Sequence, residues 1–159
     1  MRTVYWAKKL KPKAGEALFI AALAHDIERA FRQKDVLERE KLFGYADKEF
    51  LRLHMERSAQ IIAEFLKEQK AGKDLIEKVK ELVSKHEFGG SEEQNILKDA
   101  DSISFFENNA ERFLIKHLPI VGKEIVKKKI DWMYERISSE KAKKTAKPFY
   151  EKAIKKLNA

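Results

Sequence analysis

Residues 18–24 of this chain, LFIAALA, are seven consecutive apolar residues, and His25 and Asp26 follow at once. A helix that is apolar all round is buried. The stretch therefore predicts a helix inside the protein, over about residues 15–31, around which the rest assembles. An imidazole and a carboxylate carried into such a place need partners, because buried charge is costly unless it is paired or bound to metal. Neighbouring helical residues point about 100° apart, so His25 and Asp26 share one ion only if it sits between their two directions. With four His and seven Asp in 159 residues, a His-Asp pair arises by chance in roughly one chain in five or six. Its meaning depends on what the rest of the chain supplies.

The remainder reads as helix, punctuated by three prolines and six glycines. A first helix covers about residues 3–10 and ends before Pro12. Residues 32–45 are charged and without clean period, and read as a loop with a helical turn, a form that often serves as a lid. Asp47 is a candidate N-cap for a helix over 47–69, with Phe50, Leu51, His54, Ser58, Ile61, Ile62, Phe65 and Leu66 on one stripe. Gly72 is expected to end it and Asp74 to cap the next, whose stripe is Leu75, Val79, Leu82, Val83 and His86. Ser91 and Gln94 form a capping box for a helix over 92–116, with Ile96, Ile103, Phe106, Ala110 and Phe113 facing the core. Pro119 and Gly122 mark a break before a helix over 123–137. Ser138 or Ser139 caps a last helix, which Pro148 is expected to kink or split. The expected fold class is all-α, a bundle of about six to seven helices in one domain over 1–159. Residues 1–116 would form the core of the site, with 117–159 as basic helices packed on it.

Composition narrows the function classes. No apolar run approaches the ~20 residues that span a bilayer, and the N-terminal MRTVYWAKKLKPKAG lacks the apolar segment of a signal peptide. The absence of cysteine excludes disulfides and zinc-thiolate sites. A cytoplasmic protein without a membrane partner is expected, and its heavy use of Lys and Glu fits a thermophile. Most of the net charge of +8 lies in residues 117–159, where 12 Lys and Arg face 5 Asp and Glu. Such a face suits nucleic acid. Its few aromatics and the lack of a helix-turn-helix pattern rank that partner last, behind a solvated surface.

Three of the four histidines fall at core-facing positions: His25, His54 and His86. One buried histidine is commonly a core residue with its hydrogen bonds met. Three from separate helices, with a carboxylate to match, form a constellation. Asp99 and Asp101, in LKDADSISFF, are the candidates for that carboxylate. They point about 200° apart, so only one faces the site. Periodicity leaves both open, since Asp99 has Ile96 and Ile103 as company and Asp101 has Leu97 and Phe105. His117, beside Leu118 and Pro119, is expected at the surface.

Taken in order, AALAHDIER, His54, His86 and LKDADSIS resemble the HD superfamily of metal-dependent phosphohydrolases. That pattern runs from a first His through His-Asp to a distant Asp, with two further histidines between in dinuclear members. KHEFGG resembles the His-x-x-Gly segment of HD hydrolases that split dinucleoside polyphosphates, and the resemblance covers about residues 1–115. It implies His25, Asp26, His54, His86 and Asp101 as metal ligands, with Asp99 left for a lysine or an outer partner. It implies one or two divalent transition-metal ions, Mn, Fe, Co, Ni or Zn. The chemistry implied is hydrolysis of a nucleotide or related phosphate ester by a water that the metal acidifies. Asp26, Glu87 and Lys85 are then expected in catalysis, Glu87 as a general base or as the group that holds a ligand histidine. Arg29, Arg57, Lys98 and Arg136 are expected to share the phosphate charge. Trp132 and Tyr134 are candidates for a base-stacking wall beside Arg136. A homodimer is compatible with this reading. The pattern departs from the family in one place. The first family His would fall at or before Met1, so either the start lies upstream or that ligand is lost. The loss motivates an alternative, a catalytically degenerate HD-type protein that binds a nucleotide or metal without turnover.

Overall fold

The computed structural model describes residues 2–31 and 47–159. The expected loop at 32–45 lies outside the described residues. The elements are α1 (Arg2–Leu10), α2 (Glu16–Ala24), a 3₁₀ turn (Ile27–Ala30), α3 (Lys48–Glu68), α4 (Lys73–Val83), α5 (Glu92–Ser104), a π turn (Phe105–Asn109), α6 (Ala110–Glu135) and α7 (Glu140–Asn158). The fold is all-α, with no strand among the described residues. No helix among them is long and apolar enough to cross a membrane.

Two apolar clusters hold the bundle. In the first, Leu18, Ala21, Ala22 and Ala24 of α2 meet Ile62 and Leu66 of α3, Val79, Leu82 and Val83 of α4, and Leu97 and Ala100 of α5. The alanines of α2 let neighbouring backbones approach closely, which places the end of this helix deep in the bundle. The second gathers Ile103, Phe106, Ala110 and Leu114 with Val126, Ile130 and Met133 of α6 and Ala146, Ala153 and Leu157 of α7. Residues 103–114 thus pack with the C-terminal helices, and Trp6 and Leu10 of α1 lean on the same cluster.

Several local expectations need correction. The central helix ends at Ala24, with His25 as its C-cap and Asp26 at φ −100°, ψ 13°. His25 and Asp26 therefore form the turn between α2 and the 3₁₀ turn and are not successive helical positions. Leu23 is 61% exposed, because the short helix packs against α1, α4 and α5 and leaves its remaining face outward. Phe65, expected on the α3 core stripe, is also exposed. Gly72, not Asp74, is the N-cap of α4. The helix expected over 92–116 is interrupted by the π turn, whose Ala110 N–H donates to the Phe105 carbonyl. Pro148 neither splits nor visibly breaks α7. It sits at an exposed position, where water can serve the carbonyl it leaves without a donor. The break near Pro119 is real: Gly122 has φ 78°, ψ 169°, a conformation open essentially to glycine alone.

The caps behave as the sequence indicates. Asp47 accepts from the Phe50 N–H at 3.0 Å. Ser91 Oγ accepts from the Gln94 N–H, and Gln94 Oε1 accepts from the Ser91 N–H at 2.8 Å. Ser91→Ala is expected to lower stability by about 0.5–2 kcal/mol, measured as a shift of the urea midpoint. A shift indistinguishable from zero would mean that water serves the α5 terminus equally well.

Candidate metal centre

Five elements converge below the C-terminal end of α2. His25 and Asp26 come from the turn that follows it, Glu28 and Arg29 from the 3₁₀ turn, His54 from α3, His86 and Glu87 from the turn after α4, and Asp101 from α5. That turn is pinned by Gly89, at φ 75°, where a Cβ would lie 2.1 Å from Asn95 Oδ1. The same Asn95 oxygen accepts from the Gly90 N–H at 3.1 Å, so the turn is tied to the start of α5.

His86 is the most telling residue. It is wholly buried, and its Nδ1–H donates to the Val83 carbonyl at 2.8 Å. That bond leaves Nε2 as a bare lone pair. Among the described residues no hydrogen-bond donor reaches Nε2. Its nearest charged neighbours are acceptors, Asp26 Oδ1 and Glu87 Oε1, each at 3.8 Å. Burial pushes the His86 imidazole down to about 4, with His25 adding to the effect and Glu87 opposing it. A neutral nitrogen lone pair aimed at two carboxylates is unfavourable unless something positive lies among them.

The other histidines are oriented in the same manner. His54 Nδ1 lies 2.9 Å from Glu28 Oε2, which turns Nε2 toward Asp26 Oδ1 at 3.0 Å. A carboxylate behind a histidine is the arrangement that fixes the ring of a metal ligand. His25 donates from Nδ1 to the Ala22 carbonyl at 3.1 Å and directs Nε2 to Asp101 Oδ1, also at 3.1 Å. Burial lowers the His25 pKa, but Asp101 and Asp26 outweigh it and raise it to about 9. Asp26 stands at the middle, with Oδ2 3.9 Å from His25 Nε2 and Oδ1 3.1 Å from Arg29 Nε. Burial by itself would raise its carboxyl; Arg29 and His25 hold it well below the usual range. About a third of the Asp26 side chain is open to solvent, while His54 and His86 are closed off.

Asp26, His54, His86 and Glu87 each bring a donor atom within 4.8 Å of the others and could hold a metal ion. Metal–ligand bonds of about 2.0–2.2 Å put facing donors roughly 4 Å apart, so these residues fit such an ion. His25 and Asp101, also expected as ligands, form a hydrogen-bonded pair beside the quartet. Glu87, expected in a catalytic role, is a member of the quartet itself.

The cations divide. Arg136 is buried, donating from Nη1 to Glu87, from Nη2 to Asp101 at 2.5 Å and from Nε to Ser102 Oγ at 2.8 Å. Arg29 is half exposed at the edge of the cluster. Arg57 lies further out, 63% exposed, with Nη1 3.9 Å from Glu28. Lys98, expected to bind substrate, is instead buried, donating to the Arg136 carbonyl, to Ser138 Oγ at 2.7 Å and to Asp99 at 3.1 Å. Asp99, the partner expected for a lysine, also accepts from the Ser138 and Ser139 N–H groups at 2.8 and 2.9 Å. This pair stitches α5 to the α6–α7 junction and so fixes where Arg136 stands. Lys85, expected in catalysis, is exposed and makes no ion pair among the described residues, because it follows α4 on the outer side of the turn.

Two aromatic expectations also separate. Tyr134 stacks on Tyr150 at 4.3 Å and meets Phe106, so it belongs to the second core. Trp132 stays beside Arg136, whose guanidinium lies 4.8 Å from its ring centre. His117 is buried, not at the surface, with its ring 4.6 Å from Phe113 on the preceding turn of α6. Sequence reasoning missed Glu28, which holds the His54 ring. It was findable, standing three residues after His25.

An all-helical bundle closing on a buried His, Asp and Glu cluster that could hold a metal ion is the class that fold and site define. The chain belongs to the family described as domain of unknown function (DUF4202), whose model matches residues 1–157. No curated protein and no solved structure matches it.

Proposed function

We propose that the protein is a metal-dependent phosphohydrolase of HD type, acting on a nucleotide or a related small phosphate ester. The observation that carries this reading is His86 Nε2, a buried lone pair with no donor among the described residues, facing the carboxylates of Asp26 and Glu87. Asp26, His54, His86 and Glu87 would hold a divalent transition-metal ion, with His25 and Asp101 adjoining it. When bound, such an ion acidifies water and neutralises phosphate oxygens. The side chains of the site prepare for that chemistry. Glu28 keeps the His54 ring turned, and the Val83 carbonyl does the same for His86. Arg136 holds Glu87 and Asp101 in place, while Arg29, on the open side of Asp26, offers its outer edge to an incoming anion.

Elemental analysis of protein purified without chelator tests the reading, alongside the double variant His25→Ala/Asp26→Ala. One or two transition-metal ions per chain, lost in the variant, are expected, followed by phosphate release in an ester screen with Mn²⁺, Co²⁺ or Ni²⁺. No metal after reconstitution overturns the hydrolase reading. Metal without turnover on any ester favours a binding protein built on the same centre.

A further inference from the structure

The cluster has one side short of donors and one side that is saturated. On the first, His86 Nε2 faces Asp26 Oδ1 and Glu87 Oε1, each at 3.8 Å, too long for a hydrogen bond, and no donor among the described residues serves it. On the second, both ring nitrogens of His25 are engaged at 3.1 Å, Nδ1 by the Ala22 carbonyl and Nε2 by Asp101 Oδ1. The other Asp101 oxygen, Oδ2, accepts from Arg136 Nη2 at 2.5 Å. Glu87 joins the two sides, with Oε1 toward His86 and Oε2 accepting from Arg136 Nη1.

The Arg136 guanidinium therefore bridges two carboxylates, Glu87 and Asp101. A second metal ion would answer the same two charges. Unlike an ion, the guanidinium is always present and always charged. It is also anchored away from the carboxylates. Its Nε donates to Ser102 Oγ at 2.8 Å, and the Arg136 carbonyl accepts from the buried Lys98 ammonium. Only 7% of its side chain meets solvent. Buried carboxylates need a paired cation, and on this side of the cluster that need is already met.

We propose that Arg136 is a built-in cation that takes the place of a second metal ion, so that the centre loads a single ion, on the His86 side. The inference rests on the metal-dependent reading above and narrows one or two ions to one. Asp101 and His25 then support Arg136 and are not ligands.

Mn²⁺ titrated into the metal-free full chain tests this, by calorimetry for the number of ions and by EPR for their state. Wild type is expected to take up one Mn²⁺ per chain, with the spectrum of an isolated ion. Asp101→Asn is expected to keep that ion with a loss of affinity below about 100-fold, the ceiling for a residue that only supports ligands. Arg136→Met, which strands Glu87 and Asp101, is expected to take up a second Mn²⁺ and show the spectrum of a coupled pair. Two ions in wild type overturn the proposal and leave the metal-dependent reading standing. A loss above about 100-fold in Asp101→Asn also overturns it, since Asp101 is then a ligand. So does a folded Arg136→Met that still takes one ion. If Arg136→Met does not fold, the wild-type count and Asp101→Asn decide the matter. No Mn²⁺ in wild type overturns the reading beneath as well.

Discussion

Replacing Arg136 with methionine is expected to cost about 3–5 kcal/mol of stability, the range for breaking a buried ion pair from one side. Glu87 is 6% exposed, and Arg136 is what holds its carboxyl below the ordinary value against the effect of burial. Asp101 loses the same partner and, among the described residues, keeps His25. Methionine fills a comparable volume, so the loss reports stranded charge and not a cavity. The measurement is urea unfolding of the metal-free chain. Adding Glu87→Gln to the variant should recover part of the loss, because one stranded charge is then gone and the two changes are coupled. A cost under about 1 kcal/mol, the size of a surface ion pair, would mean that the guanidinium does not bury its charge on these carboxylates.

Asp26→Asn is expected to have the largest effect on metal. Its carboxylate lies 3.0 Å from His54, 3.8 Å from His86 and 3.9 Å from His25, so it is common to all three rings. The amide keeps the shape and removes the charge. Removing a partner that only orients a ligand costs 10–100-fold in metal affinity, so losing this carboxylate should cost more than about 100-fold. In wild type, metal at 100 times its Kd stabilises the fold by about 2.7 kcal/mol, visible as a rise in Tm. The same concentration should leave the Tm of Asp26→Asn almost unmoved. A full rise in the variant would show that the ion is held elsewhere.

Much of the fold was legible because helix period and capping are local. The capping box at Ser91 and Gln94, the cap at Asp47 and the break at Gly122 all followed from nearest neighbours. The inward placement of His54 and His86 followed from their apolar stripes. Errors arose where a residue's surroundings come from elsewhere in the chain. Pro148 was expected to kink or split α7; the helix runs through it unsplit, at a position where solvent tolerates the lost bond. His117 was assigned to the surface from its neighbours Leu118 and Pro119, but Phe113, one turn earlier, covers its ring.

The site divides along the same line. By itself the sequence determined an all-α chain, three of whose segments carry a histidine inward, with His-Asp at the end of the most apolar helix. It left Asp99 and Asp101 undecided, since both have apolar neighbours at helical spacing. Only the tertiary structure separated them, giving Asp101 to His25 and Arg136, and Asp99 to Lys98 and the Ser138 and Ser139 amides. It likewise buried Lys98 and exposed Lys85. The physical reason is range. A helical period places a side chain on a face through contacts three and four residues away. Which charge meets which depends on how faces from residues 26, 54, 86, 101 and 136 pack together, and that is settled by the shape of both apolar cores.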